Sequence, residues 1–147
     1  MKKNLSNGLK PIREVTIEQL TRSVRKVFQD CQVGPFKPVA YYDSMLDDIR
    51  VITADCSMTE VQLSPMLNLF ERNYIEDGQA RYVGFSIEAV KSFCGDVGIP
   101  TNTEVRISTI LRLLRRKEKV PRKKGAITEV MLPLLKDHNL DYIKLSD

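Results

Sequence analysis

Apolar residues recur at helical spacing along the first third of the chain. Ile17, Leu20, Val24, Val27, Phe28 and Cys31 fall on one face, while Arg22, Arg25 and Lys26 fall largely elsewhere. Thr16 with Gln19 makes a capping box, Val15 can staple onto Leu20, and Gly34-Pro35 closes the helix. The period then changes to two. Pro38 to Tyr42 reads as a strand, Asp43 to Asp47 as a connection, and Asp48 to Ala54 as a second strand with Ile49 and Val51 on one side. Thr59 to Leu63 alternates again until Ser64-Pro65, which starts either a short helix or another strand. Leu67–Tyr74 and Arg81–Phe85 suit two further strands joined by a hairpin around Asp77-Gly78.

Helical spacing returns after that hairpin. Ser86 is placed to cap a helix whose buried stripe is Ile87, Val90, Phe93, Cys94 and Val97, closed by Gly98 and Pro100. Thr101 with Glu104 forms a second capping box, after which Ile107, Ile110, Leu111 and Leu114 hold the pattern to about Lys119. Pro121 to Gly125 breaks it, and Ala126–His138 is helix-like with Pro133 kinking or starting it. Asp141–Leu145 suits a last strand. Hairpins followed by helices predict an α+β fold: a small, mostly antiparallel sheet of about four or five strands covered by about four helices. Residues 1–14 lack periodicity and read as a flexible basic arm, leaving 15–147 as a single domain.

Composition changes this picture little, whereas the distribution of charge changes it a good deal. The 147 residues are 42% hydrophobic and 29% charged, as a globular chain is, so disorder and fibrous repeats are poor fits. No stretch approaches the length of a membrane span and the N-terminus lacks an apolar core, so the expected location is the cytoplasm, with no membrane partner. The net charge of +4 conceals a strong pattern. Residues 1–26 carry seven Lys/Arg against two Glu, and 27–104 carry five against twelve acids. Residues 105–124 carry nine against one, and 125–147 two against four. Basic segments thus flank an acidic middle, a pattern informative about partners.

The densest positive charge is a helix-loop segment at 106–124, with Arg106, Arg112, Arg115, Arg116, Lys117, Lys119, Arg122, Lys123 and Lys124. On a helix that buries Ile107, Ile110, Leu111 and Leu114, the cations up to Lys119 spread over the exposed side, and the last three extend into a loop. If about five of them met phosphates, the logarithmic salt slope of binding would be roughly −4 to −5. Such contacts give affinity without reading a sequence. The expectation is therefore a small non-enzymatic accessory or regulatory protein that binds DNA or RNA nonspecifically. The alternative is a protein-interaction module that sets the basic segment against an acidic surface, of another protein or of a second copy of itself. Cations in the last turn of a helix also complement its dipole with no ligand at all.

Chemistry has fewer footholds. Asp43, Asp47, Asp48, Asp55 and Glu60 surround the first hairpin, and converging carboxylates would suit a divalent cation, although turns also favour Asp. Cys31, Cys56 and Cys94 form no CxxC pair and His138 is the single histidine, so no disulfide framework or zinc spacing is present. Gly-rich phosphate loops, GxSxG and HExxH are missing too. The reading implies no cofactor or metal and leans away from an enzyme. Cys94 lies on a buried stripe, where a thiol is inert, and Tyr41, Tyr42 and Tyr82 suit strand packing.

Overall fold

The computed structural model describes residues 35–117 and 125–145. The chain divides into two compact units, Met1–Phe36 and Lys37–Asp147, and the second holds all the described regular elements. The basic arm, the helix expected after Val15, Cys31, Lys119, Arg122, Lys123 and Lys124 lie outside the described residues.

Five strands form an antiparallel sheet: β1 (Val39–Asp43), β2 (Asp48–Ile52), β3 (Met58–Gln62), β4 (Leu67–Arg72) and β5 (Tyr82–Ile87), in the spatial order β1-β2-β5-β4-β3. The register explains the alternation in the sequence. Ala40 and Tyr42 stand opposite Val51 and Ile49, which stand opposite Phe85 and Ile87, which stand opposite Leu69 and Leu67. One face of the sheet is therefore continuous apolar surface. Six of these side chains, Ile49, Val51, Leu67, Leu69, Phe85 and Ile87, are fully buried, each contributing on the order of 2 kcal/mol by leaving water.

The opposite face carries a polar row, Tyr41, Arg50, Ser86, Asn68 and Gln62, one residue from each strand. Asn68 Nδ2 donates to Ser86 Oγ (3.1 Å) and to Glu88 Oε2 (2.6 Å). Next to that row, Gly84 has no room for a side chain. A Cβ there would stand 2.1 Å from the Val51 carbonyl oxygen and 2.9 Å from Phe70 Cδ2. The glycine allows the second face to close over the β2–β5 ladder.

Three α-helices follow among the described residues: α1 (Val90–Val97), α2 (Ile107–Lys117) and α3 (Leu132–His138), the last preceded by a π-helical stretch, Ala126–Met131. Two short strands, β6 (Glu104–Arg106) and β7 (Tyr142–Lys144), bracket α2 and α3 and pair antiparallel with Val105 opposite Ile143. Ile107, Ile110, Leu111, Leu114, Met131 and Leu135 join the apolar sheet face in one core. The α+β class expected from the sequence holds, with three described helices where about four were expected.

Several local expectations need correction. Ser86 does not cap a helix: it and Ile87 belong to β5, and α1 begins at Val90 after Ala89, which takes a left-handed conformation. Ile87 fits the helical spacing because strand and helix bury their apolar residues in the same core. Thr101 and Glu104 do not form a capping box, since Glu104 to Arg106 are strand β6. Ser64-Pro65 is neither helix nor strand but a turn, in which the Leu63 N–H donates to the Leu67 carbonyl (2.8 Å) and the Leu67 N–H to Ser64 Oγ (3.2 Å). The other boundaries move little. Gly98 closes α1 and Asn139 closes α3, both left-handed.

Candidate functional site

Helix α2 begins with help from a distant residue. The Ile107 N–H donates to the Asp141 carbonyl (2.8 Å), and the Ser108 N–H donates to Asp141 Oδ1 (2.7 Å). The Ser108 hydroxyl donates to Oδ2 (2.7 Å). Two of the four N–H groups that a helix start leaves without partners are thus satisfied from 33 residues along the chain. Arg106 completes the arrangement: its Nε and Nη2 donate to Asp141 Oδ2 at 3.2 and 3.0 Å. Partial burial pushes the Asp141 carboxyl up, but the Ser108 and Arg106 hydrogen bonds and the Arg106 charge outweigh it and hold the group below its usual range.

This correction matters for the basic segment. Arg106 is not on the exposed side of a helix. It lies in β6, opposite Tyr142 of β7, with its guanidinium 5.4 Å from the Tyr142 ring centroid. Arg112, Arg115, Arg116 and Lys117 do lie on α2, all exposed, opposite the buried Ile107, Ile110, Leu111 and Leu114. Arg115 Nη1 donates to the Thr128 hydroxyl at 2.7 Å, tying the end of α2 to the π-helical stretch.

Between α2 and α3 lies an open cavity of about 590 Å³. Arg106, Ser108, Arg112, Thr128, Leu132, Lys136, Asp141 and Tyr142 are among the residues that line it. Three cations therefore face it, together with Asp137 and Asp141. The Asp141 carboxylate is already occupied by Arg106 and Ser108, so its charge is largely compensated where it stands. The predicted patch is in this way divided: Arg106 and Arg112 face the cavity, Arg115 reaches across to Thr128, and Arg116 and Lys117 extend from the exposed last turn of α2. Lys136, Ser108, Asp141 and Tyr142 escaped the sequence reading. No run of like residues marks them: Asp141 and Tyr142 join the site because β7 pairs with β6, and Lys136 because α3 lies across the cavity from α2.

The acidic residues around the first hairpin serve structure. Asp43 Oδ1 accepts the Met45 and Leu46 N–H groups at 3.0 and 3.2 Å, an Asx turn. Asp47 accepts the Tyr42 hydroxyl (2.7 Å) and the Lys91 N–H (3.0 Å) on Oδ1, and its carbonyl accepts the Val90 N–H (3.1 Å), so it caps α1. Asp48 pairs with Arg50 through Oδ2 while its Oδ1, buried, has no partner. Burial raises the Asp48 pKa despite the Arg50 charge. Asp55 and Glu60 are exposed. Among the described residues no three His, Cys, Asp or Glu side chains gather to hold a metal ion. Cys94 is fully buried, and burial followed by the Asp47 charge pushes its thiol up, as an inert core cysteine requires. No described helix is long and apolar enough to cross a membrane. Comparison with protein families, with characterised proteins and with solved structures found no match.

Proposed function

We propose that this chain is a small cytoplasmic accessory or regulatory protein that binds nucleic acid without sequence specificity, through the sugar–phosphate backbone. The observation that carries the reading is the cavity itself: Arg106, Arg112 and Lys136 converge on it from β6, α2 and α3. Cations that merely complemented a helix dipole would sit at one helix end, as Arg115, Arg116 and Lys117 do. Arg112 is in mid-helix and Arg106 precedes the helix, where positive charge opposes the dipole. Asp141 answers the charge of Arg106, whereas the mid-helix placement of Arg112 favours an external anion. Arg106 is fixed by Asp141, so little side-chain freedom is lost when a phosphate arrives. Arg116, Lys117 and the cations of 118–124 extend the charge along the chain.

Labelled DNA and RNA titrated with the wild type and with an Arg112→Glu/Lys136→Glu variant test the reading. The variant is expected to lose at least about tenfold in affinity for both, with the loss shrinking as salt is raised. Equal, salt-independent binding by the two proteins would remove the proposal.

A further inference from the structure

One large aromatic side chain lines the cavity. Tyr142 is 60% exposed, although a buried aromatic ring removes on the order of 200 Å² from water and strands usually place such rings in the core. Its neighbour Ile143 takes the core position, and alternation along β7 sends Tyr142 outward beside Arg106 and Lys144 beside Glu104. The ring is held in place. Asp141 fixes the Arg106 guanidinium through two hydrogen bonds, and the guanidinium sits over the Tyr142 ring. The other two cation–ring pairs among the described residues involve Tyr42 and Tyr82, which are half-buried. Neither ring lines this cavity. Among the described residues, Tyr142 is the aromatic residue that both lines this cation-lined cavity and is largely exposed.

An exposed ring beside a row of cations is what a nucleic acid with accessible bases requires. Each base offers a π-face whatever its identity, and the backbone supplies the anions. In a duplex the base faces are already stacked on one another and do not reach a protein ring. We infer that Tyr142 is a base-stacking platform and that the nucleic acid bound by this protein is single-stranded, its backbone crossing Arg112 and Lys136 with one base laid on the tyrosine. The inference rests on the nucleic-acid reading above and narrows it.

The chain has no tryptophan, so Tyr142→Trp introduces a single indole reporter. The variant is titrated with oligodeoxythymidylate, with the duplex of that strand and oligodeoxyadenylate, and with heparin. Indole emission is expected to be quenched by the single strand and unchanged by heparin. In the otherwise wild-type chain, Tyr142→Leu is expected to weaken single-strand binding roughly ten- to hundredfold, the cost of one stacked base, and Tyr142→Phe to retain it. Duplex and heparin binding are expected to stay within about twofold, since phosphate contacts carry them. Unquenched emission at saturation, or an equal loss for single strand, duplex and heparin, overturns the stacking role while the nucleic-acid reading stands. Absence of binding to all three by the wild type overturns both.

Discussion

Helices α1 and α2 start on the same device in different surroundings. At α1, Asp47 accepts the first N–H on its carbonyl and the second on its carboxylate; at α2, Asp141 does the same in the same order. The remaining partner of Asp47 is the Tyr42 hydroxyl, so that cap is spent within the hairpin turn. Asp141 also holds Ser108 and Arg106, in the lining of a cavity that Arg112 and Lys136 face. One remote carboxylate therefore finishes a helix and ties it to the hairpin turn. The other finishes a helix and fixes a guanidinium where two further cations remain exposed.

The largest expected effect follows from the richer set of bonds. Asp141→Ala removes acceptors for four donors, two of them from a charged group, and is expected to cost about 3 kcal/mol in urea unfolding. Asp47→Ala removes the acceptor of one backbone N–H and one hydroxyl and is expected to cost about 1–2 kcal/mol. Equal losses would erase the distinction between the two caps.

Acid should separate a third carboxylate from Asp141. The Asp141 pKa is lowered in the fold, so its contribution is complete above the ordinary carboxylate value of 3.8 and is lost as pH falls through the lower native value. Asp48 behaves oppositely. Its pKa is raised, so its neutral form fits the fold best, and its contribution, full below 3.8, is lost as pH rises through the raised value. Stability profiles carried down to and below pH 3.8 should therefore fall toward acid less steeply in Asp141→Asn than in wild type. In Asp48→Asn they should lose a small opposing tilt. The smallest effect is at neutral pH, where Asp48→Asn is expected to change stability by less than about 1 kcal/mol, because it removes a buried charge while weakening an ion pair with the half-buried Arg50. A large loss would show that the pair outweighs the burial of the charge.

The sequence made the sheet and the bodies of the helices legible because each rests on near neighbours. Ile49 and Val51 announce the buried side of β2, and Ile107, Ile110, Leu111 and Leu114 that of α2. Helix beginnings were misplaced because the caps are not local. Ser86 and the Thr101…Glu104 pair offer the residue types of a helix start, whereas the residues that supply it, Asp47 and Asp141, lie 44 and 33 positions from their donors. Arg106 was misassigned for the same reason: its strand conformation depends on pairing with Tyr142. The cations of α2 were visible as a run, but Tyr142 becomes part of the site only once β7 returns beside β6, and Lys136 only once α3 lies across the cavity from α2.

The most direct test of the cavity as a phosphate site uses the two cations that carry no cap. Arg112 and Lys136 are exposed, so Arg112→Gln/Lys136→Gln is expected to leave thermal stability unchanged. Binding of a labelled single strand is followed by anisotropy across a salt series for this variant and for the wild type. The slope of log Kobs against log salt should become shallower by about 1.4, two phosphate contacts at roughly 0.7 each, with weaker binding at low salt. An unchanged slope and affinity would show that the cavity does not meet the backbone.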